Sequence, residues 1–202
     1  MTKHSSTFDQ TVAALSCGKA AVYPTETVYG VGVAVHAAPT PAVLYDIKNR
    51  EQRKPIAWLV GETDALDAYG KHVPEFACVL ARTFWPGPLT LIVNANENVP
   101  EAYRSAEGTI GLRMPNNETA LRLINQVGCP LATSSANISG NKAPRSFDAL
   151  DDALSSKVAA VLADSDDAAK SGVASTVVDC TGDHPVMVRE GAITVADIRA
   201  LS

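Results

Sequence analysis

Cysteine is scarce in this chain and scattered. Cys17, Cys78, Cys129 and Cys180 stand 61, 51 and 51 positions apart, and His4, His36, His72 and His184 are equally dispersed. There is no C-x-x-C pair or Cys/His cluster, which argues against structural zinc, and a chain of this size needs no disulfide framework. Long apolar runs are missing too. The start, MTKHSSTFDQ, lacks the apolar stretch of a signal peptide, and nothing approaches the ~18 uninterrupted apolar residues of a membrane span. These absences predict a soluble, cytoplasmic protein with no membrane partner. Aromatics number only 11 among 202 residues (5 Tyr, 4 Phe, 2 Trp), too few for a long platform that stacks single-stranded bases. A surplus of positive charge is also lacking: 17 basic against 22 acidic residues gives −5. That balance excludes a histone-like coat, so any anion site must be local. No G-x-x-x-x-G-K-[ST], no G-x-G-x-x-G opening a helix, no H-E-x-x-H and no G-x-S-x-G occurs, so the common short nucleotide and hydrolase signatures do not apply.

What is present is enough to fold. At 46% apolar and 19% charged, 202 residues can bury a core. Short apolar runs alternate with helix-length patterns. Strands are expected over residues 20–23, 28–35, 56–60, 89–93, 110–113, 131–133, 158–163, 176–179 and 185–189. Helices are expected over 7–17, 41–48, 75–83, 118–126, 146–154 and 195–201. Thr40-Pro41, Asn117 and Ser146 read as helix starts. Interleaved strands and helices favour an α/β sheet over a bundle or sandwich. No linker, repeat or low-complexity tract divides the chain, so one domain over residues 8–200 is expected. Residues 164–172, DSDDAAKSG, read as a mobile flap or a solvated turn, and their composition favours the turn.

Six stretches carry candidate chemistry. Lys48-Asn49-Arg50-Glu51-Gln52-Arg53-Lys54 carries four basic residues and one acidic, a net +3 against −8 for the rest. It is either a solvated loop favoured by a helix C-terminus or a clamp for a polyanion. Thr133-Ser134-Ser135-Ala136-Asn137-Ile138-Ser139-Gly140 follows an apolar strand, and its small donors suit either a turn or an anion. Residues 23–32, YPTETVYGVG, join two strands through hydroxyls and glycines. Residues 84–90, FWPGPLT, read as a proline-rigidified turn with a buried aromatic feeding a strand. Arg113, in TIGLRMP, and Arg189, in VMVREG, close apolar strands, where a cleft often begins. The sixth stretch is Ser175-Thr176-Val177-Val178-Asp179 together with the VMVREG that follows it.

Taken together, Y-P-T-E-T-V-Y-G-V-G, the K-x-R of Lys48 and Arg50, F-W-P-G-P-L-T, G-L-R-M-P, S-S-A-N-I-S-G, S-T-V-V-D and V-R-E-G-A-I stand in the order and spacing of one family. The chain resembles the YrdC-like threonylcarbamoyl-adenylate synthases over about residues 8 to 200. The resemblance implies a twisted mixed sheet flanked by helices, with a concave, positively charged cavity. It also implies a reaction: L-threonine, bicarbonate and ATP give threonylcarbamoyl-AMP and pyrophosphate with Mg²⁺ assisting, the first step of tRNA threonylcarbamoylation. Lys48, Arg50, Ser135 and Asn137 would form the catalytic set. With Lys54, Thr109 and Arg189 they would hold ATP, while Thr27, Arg113, Thr133 and Ser175 would hold threonine. No side chain suggests itself as a base for the amine, and no residue as a metal ligand. The product would pass to a threonylcarbamoyl-transferase complex acting on tRNA, and direct contact with tRNA or double-stranded RNA is compatible with a local basic site. Three residues depart from the pattern: Glu51 and Ser134 replace frequent prolines, and Leu59 stands where many members carry a histidine. Longer relatives carry a further C-terminal domain, and the 13 residues after Arg189 suggest the single-domain type. Two other functions fit parts of the pattern. One is the carbamoyl-adenylate chemistry of hydrogenase-maturation proteins; the other is a non-catalytic RNA-binding module.

Overall fold

The computed structural model describes residues 5–49 and 56–201. Each of the nine expected strands forms: β1 (Ala21–Tyr23), β2 (Gly30–Ala34), β3 (Ala57–Leu59), β4 (Leu89–Asn94), β5 (Thr109–Arg113), β6 (Leu131–Ser135), β7 (Ala160–Val161), β8 (Thr176–Asp179) and β9 (Val186–Arg189). They pair into one twisted mixed sheet in the order β7-β1-β2-β6-β3-β5-β4-β8-β9. Three pairs are parallel (β1 with β7, β3 with β5, β4 with β8), and the other five are antiparallel. β6 is central, antiparallel to both β2 and β3.

Helices α1 (Phe8–Ser16), α2 (Ala42–Lys48), α3 (Ala65–Tyr69), α4 (Glu75–Phe84), α5 (Glu118–Val127), α6 (Asp152–Ser155) and α7 (Val195–Arg199) flank this sheet. Their ends follow local chemistry. Thr7 and Gln10 form a reciprocal capping box on α1, and Asn117 accepts the Ala120 N–H at 2.9 Å to start α5. Gly128 ends α5 in the left-handed conformation, φ 75°. Thr40 accepts the Ala42 N–H at 3.3 Å, while Pro41 itself is the residue flanking α2. α5 buries Ala120, Leu123 and Ile124, the i, i+3, i+4 stripe of an amphipathic helix, and packs against α1. At the core, Trp58 is 1% exposed and meets Tyr69 and Tyr103 edge-on at 5.2 and 5.5 Å.

One expectation needs correction and a second needs refinement. The helix over 146–154 does not form. Ser146 accepts only the Ala149 N–H, as a turn does, and the Phe147 N–H goes outward to Asp167 at 2.7 Å. Asp151 then caps a fresh, short α6 through Ala153. Residues 164–172 form a turn with five exposed residues, as their composition suggests, but one that is anchored rather than wholly solvated. They carry a 3-10 turn, Asp167–Ala169, and Lys170 in them is 2% exposed.

Candidate active site

One face of the sheet is open. Strand side chains alternate between faces, and the register brings Ala57, Leu59, Thr90, Thr109, Gly111, Arg113, Thr133, Ser135, Val177 and Arg189 to the same side. These residues, with Thr27 and Ser175 from the adjoining loops, line a cavity of about 310 Å³. Its floor is low because Ala57 and Gly111 occupy the middle. A Cβ at residue 111 would stand 3.3 Å from the Thr90 methyl and 3.5 Å from the Ala57 Cβ.

The glycines of residues 23–32 have a spatial reason. Gly30 and Gly32 sit opposite Ser135 and Thr133 on β6 and leave that face of β2 bare. Tyr23, wholly buried on β1, lies across the gap and bonds the Thr133 hydroxyl. A Cβ at residue 32 would collide with the Tyr23 hydroxyl and stand 2.7 Å from the Ala132 carbonyl. Burial pushes the Tyr23 phenol well above its ordinary value despite that bond, so it stays neutral.

Arg113 is held on three sides. Its Nε donates to the Gly87 carbonyl at 3.3 Å, its second terminal nitrogen donates to Thr27 Oγ1 at 3.0 Å, and the same nitrogen lies 2.8 Å from Glu26 Oε1. The remaining terminal nitrogen keeps both N–H groups without a partner among the described residues. The turn in residues 84–90 supplies the Gly87 carbonyl: Trp85, 5% exposed, anchors it by donating to Leu89, and the Gly87 N–H reaches Met114. Thr25 braces the other side, accepting the Thr27 and Val28 N–H groups and meeting Thr27 Oγ1 at 2.9 Å.

Arg189 faces Arg113 across the cavity. Its guanidinium donates only to the Ser175 carbonyl and hydroxyl, at 2.8–3.2 Å, and no carboxylate pairs with it among the described residues. Burial, and then the like charge of Arg113, pull its pKa down. A guanidinium without a carboxylate partner, beside a second one, has the chemistry to hold an anion. Ser175 also shares a hydrogen with Thr90 at 2.9 Å. Behind it, the buried Thr176 hydroxyl accepts the Gly191 and Ile193 N–H groups and donates to the Ile193 carbonyl, tying the V-R-E-G-A-I stretch to β8.

The family model named Sua5/YciO/YrdC, described as "telomere recombination", matches residues 13–191. The chain belongs to the Sua5/YciO/YrdC family. It is 35% identical over 181 residues to the threonylcarbamoyl-AMP synthase of Pyrococcus abyssi, covering 90% of this chain and 53% of that protein. It is also 35% identical to the putative threonylcarbamoyl-AMP synthase of Mycobacterium tuberculosis over 187 residues, 93% of this chain and 85% of that one. The chain thus spans about half the length of the first relative and most of the second. Among solved structures, P. abyssi Sua5 complexed with L-threonine superposes with a TM-score of 0.88 at 32% identity, over 96% of this chain and 56% of that one.

Against the residues that the Sua5/YciO/YrdC resemblance implies, the cavity collects Thr27, Arg113, Thr133 and Ser175 with Thr109, Ser135 and Arg189. Lys48 and Asn137 lie outside its wall. Lys48 is 3% exposed, and its ammonium donates to the Ser135 and Asn137 carbonyls. Here it fixes the turn after β6. Asn137 spends its amide N–H groups on the Ile138 and Asn141 carbonyls, leaving its buried Oδ1 as an unused acceptor. Arg50, Lys54 and the substituted Glu51 lie outside the described residues. Leu59 lines the cavity at 1% exposure, giving it an apolar patch. Glu26 and Tyr23, which no motif role implies, lie inside the stretch over residues 23–32 and bond the site residues Arg113 and Thr133.

Proposed function

We propose that the chain makes threonylcarbamoyl-AMP from L-threonine, bicarbonate and ATP, releasing pyrophosphate. The observation that carries this reading is the convergence of Thr27, Thr109, Arg113, Thr133, Ser135, Ser175 and Arg189, from separate strands and loops, on one cavity. Its chemistry suits the reaction. The threonine carbamate attacks the α-phosphorus of ATP, and such transfers need charge neutralisation and placement more than a protein nucleophile. Two guanidiniums and a ring of hydroxyls supply both. Arg113 takes the threonine carboxylate, Thr27, Thr133 and Ser175 surround the amino acid, and Arg189 faces phosphate. Thr109 and Ser135 add donors for the nucleotide.

Lys48 and Asn137 hold the turn on which Ser135 is presented. Arg50 and Lys54 are proposed triphosphate ligands on the strength of the motif. Among the described residues, no three His, Cys, Asp or Glu side chains are placed to share a metal ion. Mg²⁺ is therefore assigned to the triphosphate it accompanies. Downstream, the adenylate would serve a transferase complex acting on tRNA in the cytoplasm, with any direct RNA contact made at the same basic site. Among the described residues, no helix is long and apolar enough to cross a membrane.

The test is pyrophosphate release from ATP with threonine and bicarbonate omitted in turn. Dependence on both is expected. Release that ignores both omissions rejects the proposal, and release that needs only bicarbonate points to carbamoyl-adenylate chemistry.

A further inference from the structure

Glu26 has no role in the chemistry above, yet it is the acidic partner of the cavity's threonine-side guanidinium. Its side chain is 18% exposed, Oε1 lies 2.8 Å from Arg113, and both carboxylate oxygens are closed to water and accept no directed hydrogen bond. The backbone that carries Glu26 is fixed: the Glu26 carbonyl accepts the Ser171 N–H at 3.0 Å, and the Thr27 carbonyl accepts the Gly172 N–H at 2.9 Å. Arg113 in turn keeps one terminal nitrogen toward the cavity. A ligand carboxylate on that nitrogen therefore sits beside a fixed negative charge, unscreened by water. A plain carboxylate is repelled by it. An α-amino acid brings an ammonium on the adjoining carbon, and the same charge attracts it.

We infer that Glu26 is a specificity-determining residue, whose carboxylate makes the Arg113 site select zwitterionic amino acids over simple hydroxy acids by attracting the α-ammonium. This rests on the proposed binding of threonine at Arg113. It needs no movement of Glu26, because the field of the charge acts through the cavity wall. Discrimination arises from penalising the wrong ligand as well as favouring the right one.

The experiment compares L-threonine with 3-hydroxybutyrate, which keeps the carboxylate and hydroxyl and lacks the amine. Both are titrated by calorimetry into the wild-type chain, Glu26→Gln and Glu26→Asp. The wild type should prefer threonine by about tenfold or more. Glu26→Gln should bind threonine more weakly and 3-hydroxybutyrate no worse, collapsing most of that preference. Glu26→Asp, which keeps the charge, should restore it. Equal weakening of both ligands in Glu26→Gln overturns the inference, since Glu26 would then merely brace Arg113. Unchanged binding of both overturns it as well. If wild-type chain binds neither ligand, the threonine reading itself fails, a result distinct from either of these.

Discussion

Replacing Arg113 by lysine keeps the charge and removes the geometry. In the structure the guanidinium uses Nε on Gly87, one terminal nitrogen on Thr27 and Glu26, and leaves the other for a ligand. Lysine brings one nitrogen. Glu26, sheltered from water and 2.8 Å from the present guanidinium, will hold that ammonium, and the substrate carboxylate then loses its directed donors. A hydrogen bond to a charged group contributes about 1.5–3 kcal/mol, which is about 10- to 150-fold at 1.4 kcal/mol per decade. The KM for threonine should rise by that factor, whereas the KM for ATP should move by less than about threefold, because Arg189 and Ser135 are untouched. Pyrophosphate release, measured against each substrate with the other saturating, gives both constants, and a thermal melt confirms that the variant is folded. Parallel increases in the two constants, or an increase for ATP alone, would refute the assignment of Arg113 to the amino acid.

Tyr23→Phe removes one buried hydroxyl from Thr133 and should cost about 1 kcal/mol in stability, with a severalfold rise in the threonine KM and none in that for ATP. Gly32→Ala places a Cβ 2.7 Å from the Ala132 carbonyl and 2.8 Å from Thr133 Oγ1. The β2–β6 pairing cannot absorb that, so a loss of about 3 kcal/mol or more is expected, read from the urea midpoint. Lys170→Met strands the carboxylates of Asp164 and Asp167 beneath the 164–172 segment. Breaking a buried pair costs about 3–5 kcal/mol, and the lower end applies here because Asp167 is 26% exposed. The same variant should change the acid limb. Burial alone would raise Asp167, but the Phe147 N–H, the Tyr29 hydroxyl and Lys170 outweigh it and hold its carboxyl below the ordinary range. Its contribution is therefore complete above the unfolded value near ~4 and lost as pH falls through the lower folded one. Denaturation midpoints across that range should fall less steeply in Lys170→Met than in the wild type.

The strands were legible because each is a short apolar run ended by glycine, proline or polar residues. So was α5, with Asn117 before it and Gly128 after. What the sequence concealed was partnership across the sheet. Nothing local ties Tyr23 to Thr133, 110 residues away, or Glu26 to Arg113, 87 residues away. The motif over residues 23–32 marked the place without saying which side chains face the cavity, since that depends on β2 meeting β6 in one register. The helix expected at 146–154 failed for a local reason: Asp151 takes an extended conformation, ψ 127°, which interrupts any helical run there, and its side chain caps a new start through Ala153. The K-x-R resemblance implies Lys48 as a phosphate ligand. In space it is the last residue of α2, buried, with its ammonium donating to the Ser135 and Asn137 carbonyls, a placement that the sequence pattern does not record.

Residues 164–172 hide close and distant pairings alike. Three aspartates, a lysine, two serines and a glycine in nine positions lead to a solvated turn, because composition records charges and not their pairing. In space Lys170 lies under the segment against the Tyr29 ring, 5.1 Å from its centroid, and pairs with Asp164 and with Asp167 at 3.1 Å. The Tyr29 hydroxyl donates to Asp167 at 2.7 Å and accepts the Asp164 N–H at 2.9 Å. The segment is therefore riveted to the residue that directly precedes Gly30, inside the motif that carries Tyr23, Glu26 and Thr27. Its last two residues, Ser171 and Gly172, pass N–H groups to the Glu26 and Thr27 carbonyls, and three positions after Gly172 comes Ser175, which holds Arg189. One charged strap thus sets the backbone under both guanidiniums of the cavity. That is why Lys170 is buried between Asp164 and Asp167, and why loosening it should disturb Arg113 and Arg189 together.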